Sequence, residues 1–317
     1  MYIMKVEKLI LSEQKTEQLS SPVSVGVHLH LFYPDLIPVF LEYLGRIPVP
    51  FSLFVSVPDG VVADDDDVEK SFRMLSNVQE IIIKHTPNRG RDIAPMLCGF
   101  ADEFRKYEVM LHLHTKKSPH GKMQAGWLEH ILEHLLPSPA LIQTILIKLQ
   151  RDAGMVVPPD FIYRMTPDGW GVPENIIIAQ QLIDRSDMRI SLKEEYPEID
   201  FPQGSMFWAR TEYLKRLFAL DLKYEDFPEE PIGVDGTIAH ALERLFFLWG
   251  HDYGKVIYRT YISKLELIQM GSFLAMTRQL ATERLYVIKK NNKHLMQCRI
   301  LSVVCVVLLV LWLISIL

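Results

Sequence analysis

Two lysines follow an apolar run in the stretch VMLHLHTKKS, which extends from Val109 to Ser118. Aliphatic residues alternate there with His112 and His114, a pattern that predicts a buried β-strand. Ligands of open parallel sheets bind beyond the carboxyl ends of the strands, where Lys116 and Lys117 would lie. Fixed cations at such an edge suit an anionic ligand, and no acidic residue accompanies them in this stretch.

A second polar cluster lies in the sequence NRGRDIAP, which connects a predicted strand to a predicted helix. It contains Asn88, Arg89, Gly90, Arg91 and Asp92, and the glycine allows the backbone to approach a ligand closely. An arginine and the N–H groups at the start of a helix could hold a phosphate or a sugar. Because this loop and the two lysines would emerge at one edge of the sheet, together they predict a diphosphate site. A purely structural loop is the alternative.

The segment GSMFWAR offers a candidate contact for a sugar. Gly204 and Ser205 form a predicted turn, and Trp208 follows in a bulky apolar run. A tryptophan beside a glycine turn can present its ring to the apolar face of a sugar. The alternative is a core strand, in which the same bulky residues are buried.

The segment DGTIAHALERLF places Asp235, His240, Glu243 and Arg244 within about two turns of a predicted helix. Asp235 could act as a general base for an attacking hydroxyl group. His240 and Glu243 would then contact the sugar or the acceptor. Spacing alone favours a simpler role, in which Asp235 caps the helix.

Composition narrows the classes of function. The chain has 317 residues, a formal net charge of −5 and 49% hydrophobic residues, so it can bury a large core. A generic nucleic-acid binder would need a broad basic field, which this charge argues against. The three cysteines, Cys98, Cys298 and Cys305, are not spaced for zinc, and their odd number favours a reducing, cytosolic location.

Strand-like and helix-like segments alternate through the first half of the chain. The predicted strands are VSVGVHLHLFY, FSLFVSV, EIIIKH and the histidine-containing run, and a predicted helix follows each of the first three. This alternation indicates an α/β fold with a mostly parallel sheet and helices on both faces. The acidic run Asp64–Asp67 begins one helix, where carboxylates are stabilised by the helix dipole without any metal.

The apolar run from Ile300 to Leu317 contains no charged residue. At about 1.5 Å per residue it would form a helix of roughly 27 Å, enough to cross the hydrocarbon core of a bilayer once. Lysines and arginines before it predict a domain on the cytoplasmic face of the inner (plasma) membrane. A buried C-terminal helix is the alternative. The predicted divisions are an N-terminal extension (1–22), a catalytic-type domain (23–275), a basic juxtamembrane helix (276–299) and a membrane segment (300–317).

Four motifs in this order, NRGRDIAPML, HLHTKKS, GSMFWAR and DGTIAHALERLF, resemble the rhamnan synthesis F family of bacterial polysaccharide enzymes. The resemblance extends from Val23 to Tyr261, most of the chain before the apolar tail. It implies a glycosyltransferase that uses a nucleotide-activated sugar, rhamnose in view of the family's association with rhamnose-rich glycans. The implied partners are a nucleotide-diphosphate sugar donor and a lipid-linked glycan acceptor at the membrane.

The first half is more distantly similar to family 2 glycosyltransferases, which have the Rossmann-like GT-A fold. In that comparison FSLFVSVPDG matches a strand that ends in a nucleotide-binding aspartate, which gives this role to Asp59. PNRGRDIAP matches the Asn-x-Gly loop of those enzymes. HLHTKKS matches their metal-binding Asp-x-Asp motif, but here both acids are missing.

The missing acids lead to a metal-free hypothesis. A transferase must neutralise the charge that builds on the departing nucleotide diphosphate, and fixed cations can replace a divalent metal in that role. Lys116 and Lys117, with Arg89 or Arg91, would supply the positive charge. Asp235 would remove the proton of the acceptor hydroxyl.

Other hypotheses stay open at this point. A divalent metal could bind His30, His112 and His114 on neighbouring strands. The chain could be a non-catalytic nucleotide-sugar or glycan-binding subunit of a polysaccharide-synthesis complex. It could also be a metal-dependent hydrolase that uses the histidines.

Overall fold

The computed structural model describes residues 5–15, 17–61, 64–117, 126–161 and 169–270. The chain divides into two compact units, 1–264 and 265–317. Of the second unit the structure describes residues 265–270, which are helical. All the strands and helices named in this article belong to the first unit.

One sheet organises the described part of the first unit. Its strands are β1 (Val6–Ile10), β2 (Val25–His30), β3 (Phe51–Pro58), β4 (Val78–Thr86), β5 (Val109–His114), β6 (Ala153–Val157), β7 (Phe207–Arg210) and β8 (Val256–Tyr261). Their spatial order is β1-β8-β6-β7-β5-β2-β3-β4. Strand β7 is antiparallel to both of its neighbours, and the other neighbouring pairs are parallel. The prediction of an α/β fold with a mostly parallel sheet is therefore confirmed.

Helices cover both faces of this sheet. They are α1 (Ile37–Leu44), α2 (Asp65–Phe72), α3 (Phe100–Phe104), α4 (Trp127–Leu135), α5 (Pro139–Arg151), α6 (Pro173–Asp184), α7 (Leu192–Glu195), α8 (Lys215–Ala219) and α9 (Ile238–Leu245). Successive side chains of a strand point to opposite faces, so Leu53 and Val55 belong to one hydrophobic cluster and Phe54 to another. The first cluster includes residues of α1, α2, α4 and α5, and the second includes residues of α3 and α6 to α9.

The structure differs from the sequence-based elements at two places. Residues of the predicted N-terminal extension form β1, which pairs in parallel with β8 from Val6 opposite Ile257 to Ile10 opposite Tyr261. Glu7 and Lys8 interrupt the apolar pattern of β1, as is common on edge strands. Helix α6 begins at Pro173, inside the segment DFIYRMTPDGWGVPENI, whose glycines, prolines and aromatics by themselves predict a substrate loop. Pairing and packing in the folded sheet thus override both local patterns.

Two further predictions concern the acidic run and the tail. Asp64 caps α2, since its side chain accepts a hydrogen bond from the N–H of Asp66 at 2.9 Å, and the other three aspartates lie in the first turn. In the part of the chain that the structure describes, no helix is both long enough and apolar enough to cross a membrane. The predicted juxtamembrane helix and membrane segment, 276–299 and 300–317, lie outside the described residues.

Candidate functional site

A cleft of about 1070 Å³ opens where β2 and β5 end. The loop after β4 and the start of α9 also line it, and the antiparallel β7 begins at this edge, so Gly204 and Ser205 lie beside the end of β5. The cleft carries charges of both signs. Its basic side chains are Arg91, Lys116, Lys117 and Arg244, and its acidic side chains are Asp92, Glu230, Asp235 and Glu243.

Most of the residues singled out from the sequence meet in this cleft. Those that line it are Asn88, Arg91, Asp92, His114, Lys116, Lys117, Gly204, Ser205, Asp235, His240 and Glu243. The sheet topology explains why these residues lie close together. Parallel strands bring their carboxyl ends to one edge of the sheet, and the loops that follow them converge there. Four others do not line the cleft, namely Asp59, Arg89, Gly90 and Trp208.

Three of these four lie close to the cleft without reaching it. Asp59 is an exposed residue just beyond the end of β3. Arg89 forms an ion pair with Glu229 and donates to the carbonyl of Phe227 at 3.3 Å. Its guanidinium therefore binds the loop after β4 to the segment that contains Phe227 and Glu229. Gly90 has φ +64°, and a Cβ there would lie 2.5 Å from the Phe227 ring. Glycine is therefore required at this turn for packing and for its backbone conformation.

The sugar contact assigned to Trp208 is wrong. Trp208 is 0% exposed, and its indole N–H donates to the carbonyl of Leu135 at 2.8 Å, so it is a core residue. The tryptophan that lines the cleft is Trp127, the first residue of α4. A Cβ on Gly204 would lie 3.3 Å from the Trp127 ring, so the glycine turn does adjoin a tryptophan. The sequence signal was the pair Gly126–Trp127, in which Gly126 has φ +81°.

The two lysines have different surroundings. The ammonium nitrogen of Lys116 lies 3.7 Å from the centroid of the Trp127 ring, within the range of a cation–π interaction. The ammonium nitrogen of Lys117 lies 2.5 Å from a carboxylate oxygen of Asp35. The cleft therefore holds Lys116 against an aromatic face, while an acid outside the HLHTKKS motif compensates Lys117.

Asp235 is bound by three hydrogen-bond donors. Its Oδ1 accepts from the side chain of Asn175 at 2.7 Å and from the N–H of Gly236 at 3.0 Å, and its Oδ2 accepts from Arg244 at 3.0 Å. The N-cap of α9 is Thr237 rather than Asp235. The interpretation of Asp235 as a simple helix cap is therefore wrong, and its carboxylate is held in one orientation on the cleft wall.

Two side chains of α9 complete this wall. Oε1 of Glu243 accepts from the N–H of Gly204 at 2.8 Å, and burial raises the pKa of Glu243. Nδ1 of His240 lies 2.8 Å from the hydroxyl of Thr237, and Nε2 is buried with no hydrogen-bond partner among the described residues. Burial, with the charge of Arg91 adding to it, lowers the pKa of His240 to about 4. His240 is therefore neutral at neutral pH.

A row of buried polar side chains lies beneath the cleft. Residues of β2 and β5 pair in register, with His28 opposite His112, and β3 places Ser56 opposite His30. Nε2 of His112 lies 3.1 Å from Asp92 Oδ2, and its Nδ1 lies 2.8 Å from Nδ1 of His28. The hydroxyl of Ser56 lies 3.0 Å from Nε2 of His28 and 2.9 Å from Nδ1 of His30. These five side chains form one unbroken hydrogen-bonded chain.

Hydrogen bonds also fix the ends of β2 and β5. Nε2 of His114 lies 2.9 Å from the carbonyl oxygen of Gly204. The hydroxyl of Thr115 accepts from the N–H groups of Phe32 and Tyr33 at 2.8 and 2.9 Å. Sequence reasoning passed over Thr115, although a threonine between a buried strand and two lysines is a natural anchor for the adjacent loop.

Burial sets the protonation of this polar layer. It lowers the pKa of His28, of His114 and of His30, the last to about 3. Burial alone would raise the pKa of Asp92, but His114 and His112 lower it well below its usual range. An ionised carboxylate is thus buried beneath the cleft, and burial favours the neutral forms of His28, His30 and His114.

The structure contradicts a metal site on His30, His112 and His114. Hydrogen bonds engage both ring nitrogens of His112 and Nε2 of His114, which a metal would need. Among the residues described, no group of three or more histidine, cysteine or acidic side chains is arranged to hold a metal ion.

The fold and the cleft define an α/β protein whose candidate ligand site lies at the carboxyl edge of a mostly parallel sheet. The family model described as Rhamnan synthesis protein F matches residues 1–254. The chain therefore belongs to the rhamnan synthesis protein F family, as the four ordered motifs indicate.

Comparisons with individual proteins give less information than the family model does. Two proteins named Uncharacterized protein WxcX, from two strains of Xanthomonas campestris pv. campestris, are 29% identical over 236 residues, which is 72% of this chain and 31% of each relative. The match thus spans about a third of the length of these relatives. A solved structure of S. aureus TarS 1–349 in complex with UDP aligns with 12% identity and a TM-score of 0.37 over 80% of this chain and 64% of that chain. A likeness at that TM-score does not establish a common fold or a common ligand.

Proposed function

We propose that this protein is a glycosyltransferase that moves rhamnose from a nucleotide-diphosphate donor to a lipid-linked acceptor in surface-polysaccharide synthesis. Family membership supports the role in polysaccharide synthesis and the choice of rhamnose. The observation that best supports a transferase activity is the lining of the cleft. Arg91 and Lys116 line the same cleft as the carboxylates of Asp235 and Glu243. A glycosyl transfer needs cations to stabilise the anionic leaving group and a carboxylate to remove the proton of the acceptor hydroxyl. The cleft brings both kinds of side chain together.

The proposed reaction is a single displacement. The oxygen of the acceptor hydroxyl forms a bond to the anomeric carbon, and the bond from that carbon to the diphosphate oxygen breaks. Asp235 takes the hydroxyl proton, and the nucleotide diphosphate leaves with the electron pair. Lys116 and Arg91 stabilise the negative charge that develops on the leaving group.

Asp235 and Glu243 are the two candidates for the proton acceptor. The donors on Asp235 hold its carboxylate in a fixed orientation, which a positioned base needs. Burial raises the pKa of Glu243, which favours it as a proton acceptor, but one of its oxygens is bonded to Gly204. We assign the proton to Asp235, because its place at the start of the DGTIAHALERLF motif matches the family pattern.

A non-catalytic subunit that binds a nucleotide sugar or a glycan is the second candidate. The ion pairs between Lys117 and Asp35 and between Arg244 and Asp235 favour it, since these charges are compensated without a ligand. Such a protein would bind the donor without cleaving the bond between the sugar and the diphosphate.

Incubation of the purified full-length chain with a panel of nucleotide-diphosphate sugars tests the two candidates. We expect turnover of a rhamnose donor, and we expect the activity to persist in EDTA because the cleft cations act in place of a metal. Isothermal titration runs in parallel. Binding without turnover across the panel would support the non-catalytic subunit, and activity lost in EDTA and restored by magnesium or manganese would overturn the metal-free mechanism.

Lys116→Ala is expected to weaken the binding of the nucleotide diphosphate by about 1.5–3 kcal/mol, the range for a hydrogen bond to a charged group. The physical reason is the loss of a cation on the cleft wall. Isothermal titration of the diphosphate measures the effect. Lys70→Ala, which removes an exposed lysine of α2 outside the cleft, is the matched control. Equal affinities of the two variants would remove Lys116 from the diphosphate site.

Deletion from Ile300 onward is expected to release the protein from the membrane. We propose that 300–317 cross the inner membrane once and that the basic segment before them keeps the large domain cytoplasmic. The shortened enzyme should use the donor with a small soluble acceptor and lose efficiency with a lipid-linked one. Fractionation of cells that express each form decides the question, since a full-length protein found in the soluble fraction contradicts an anchor.

A further inference from the structure

The hydrogen-bonded chain beneath the cleft has both of its ends in the cleft. Asp92 and His30 line the cleft, while His112, His28 and Ser56 between them are 0% exposed. Each link is 2.8 to 3.1 Å long. Among the described residues Nε2 of His30 has no hydrogen-bond partner, and Nδ1 of the same ring ends the chain.

The geometry fixes the position of every proton in this chain when Asp92 is ionised and each imidazole carries a single ring proton. The carboxylate can only accept, so His112 carries its proton on Nε2 and accepts on Nδ1. His28 must then donate from Nδ1 and accept on Nε2, which makes the Ser56 hydroxyl donate to it. Because that hydroxyl has a single proton, His30 must donate from Nδ1. A neutral His30 therefore has a bare Nε2.

We propose that this chain fixes His30 in the tautomer whose Nε2 is unprotonated, so that the cleft floor presents a hydrogen-bond acceptor to an O–H or N–H group of the ligand. Asp92 and Ser56 act as positioning residues, since they reach the ligand contact only through the imidazoles. The tautomer is a property of the protein alone. The nature of the ligand rests on the proposed function, which supplies sugar hydroxyls and a nucleobase as the groups to be recognised.

An acceptor at this place adds selectivity that the cleft cations do not provide. Lys116 and Arg91 offer only donors, and they suit the oxygens of a diphosphate. A bare imidazole nitrogen repels those oxygens, because neither partner has a proton to share. His30 would therefore favour the part of the ligand that carries hydroxyl or N–H groups over its diphosphate.

Nitrogen-15 NMR of the histidine-labelled full-length chain reads the tautomer directly, without any ligand. The variant His30→Gln identifies the signals of His30. We expect Nε2 of His30 to resonate in the unprotonated range and Nδ1 in the protonated range. A proton on Nε2 of His30 in the unmodified protein overturns the proposal outright.

Ser56→Ala breaks the chain next to His30, and Ser52→Ala is the matched control, a buried serine of the same strand outside the chain. In Ser56→Ala the Nε2 signal should move toward the protonated range, because nothing then selects one tautomer. In Ser52→Ala it should stay in place. An unchanged His30 tautomer in a folded Ser56→Ala protein contradicts the positioning role of Ser56.

Three probes then identify what His30 recognises. L-rhamnose offers sugar hydroxyls, uridine offers an N–H and a ribose, and inorganic pyrophosphate serves as the ligand that has neither a sugar nor a nucleobase. A shift of the His30 Nε2 signal with rhamnose assigns it to the sugar, and a shift with uridine alone assigns it to the nucleoside. Ser56→Ala should weaken the effective probe about 3- to 10-fold, as expected for one neutral hydrogen bond. No shift with either, or a shift with pyrophosphate alone, overturns the proposed recognition even if the tautomer is as expected.

Discussion

Asp235→Asn is expected to lower the turnover number at least about 100-fold, the scale of losing a general base, and to leave donor affinity nearly unchanged. The asparagine keeps the size of the side chain and can still accept from Asn175 or Arg244, but it cannot take up a proton. Turnover at saturating donor and the dissociation constant from titration measure the two effects separately.

Two companion variants make this result specific. Asp252→Asn is the matched control, because Asp252 also pairs with an arginine, Arg216, but does not line the cleft. Glu243→Gln tests the rival base. Near-normal turnover in a folded Asp235→Asn protein, with a large loss in Glu243→Gln, would transfer the role of base to Glu243 and leave Asp235 as the partner of Arg244.

Acidification below pH 6.5 is expected to destabilise the protein steeply. The pKa values of His28, His30 and His114 are lowered in the fold, so below the ordinary value of 6.5 the unfolded chain binds these protons and the native state does not. Stability is therefore fully present above pH 6.5 and is lost as the pH falls toward about 3, the pKa of His30. Between pH 6.5 and their native pKa values, His28 and His30 each contribute up to about 1.4 kcal/mol per pH unit, so the two together cost up to about 3 kcal/mol per unit. His114 adds to this loss.

A loss of that size consumes a typical free energy of unfolding, about 5–15 kcal/mol, within a few pH units. Denaturant titrations followed by circular dichroism between pH 7.5 and 5 measure the slope. His30→Gln should reduce the slope by about 1.4 kcal/mol per pH unit, and Ser52→Ala should leave it unchanged. A stability that is flat between pH 7 and 5 would show that these imidazoles are not held neutral by the fold.

Local patterns predicted the strands that position the site. The runs that become β2, β3 and β5 are mostly apolar and are buried over their whole length, which is typical of strands covered on both faces. The polar residues that follow these runs lie at strand ends, so the sequence placed the NRGRD loop and Lys116 at one edge. Weakly patterned elements escaped prediction, as β1 did, because an edge strand needs only one buried face and its pairing with β8 is not local.

The incorrect assignments of site residues from the sequence have a common cause. Trp208 and Trp127 both stand near a glycine in the chain, and only the antiparallel insertion of β7 buries one and leaves the other beside Gly204. Asp59 ends a strand like its neighbours, yet the exposed turn after β3 keeps it out of the cleft. Residue type and spacing do not contain the order in which strands assemble, and that order decides which strand ends face one another.

By itself the sequence determined the α/β class, the family and the edge of the sheet where the candidate site residues meet, because periodicity and motif order can be read along the chain. Only the tertiary structure decided the partners of Asp235, the acid beside Lys117 and the chain from Asp92 to His30. In the chain from Asp92 to His30 the bonded residues are 20 to 84 positions apart, and Asn175 is 60 positions from Asp235. These contacts form only when β2 lies between β3 and β5 and when α9 packs beside the cleft. The residue types were present in the sequence, but the distances that link the histidines into one chain and hold the carboxylate of Asp235 in place come from packing.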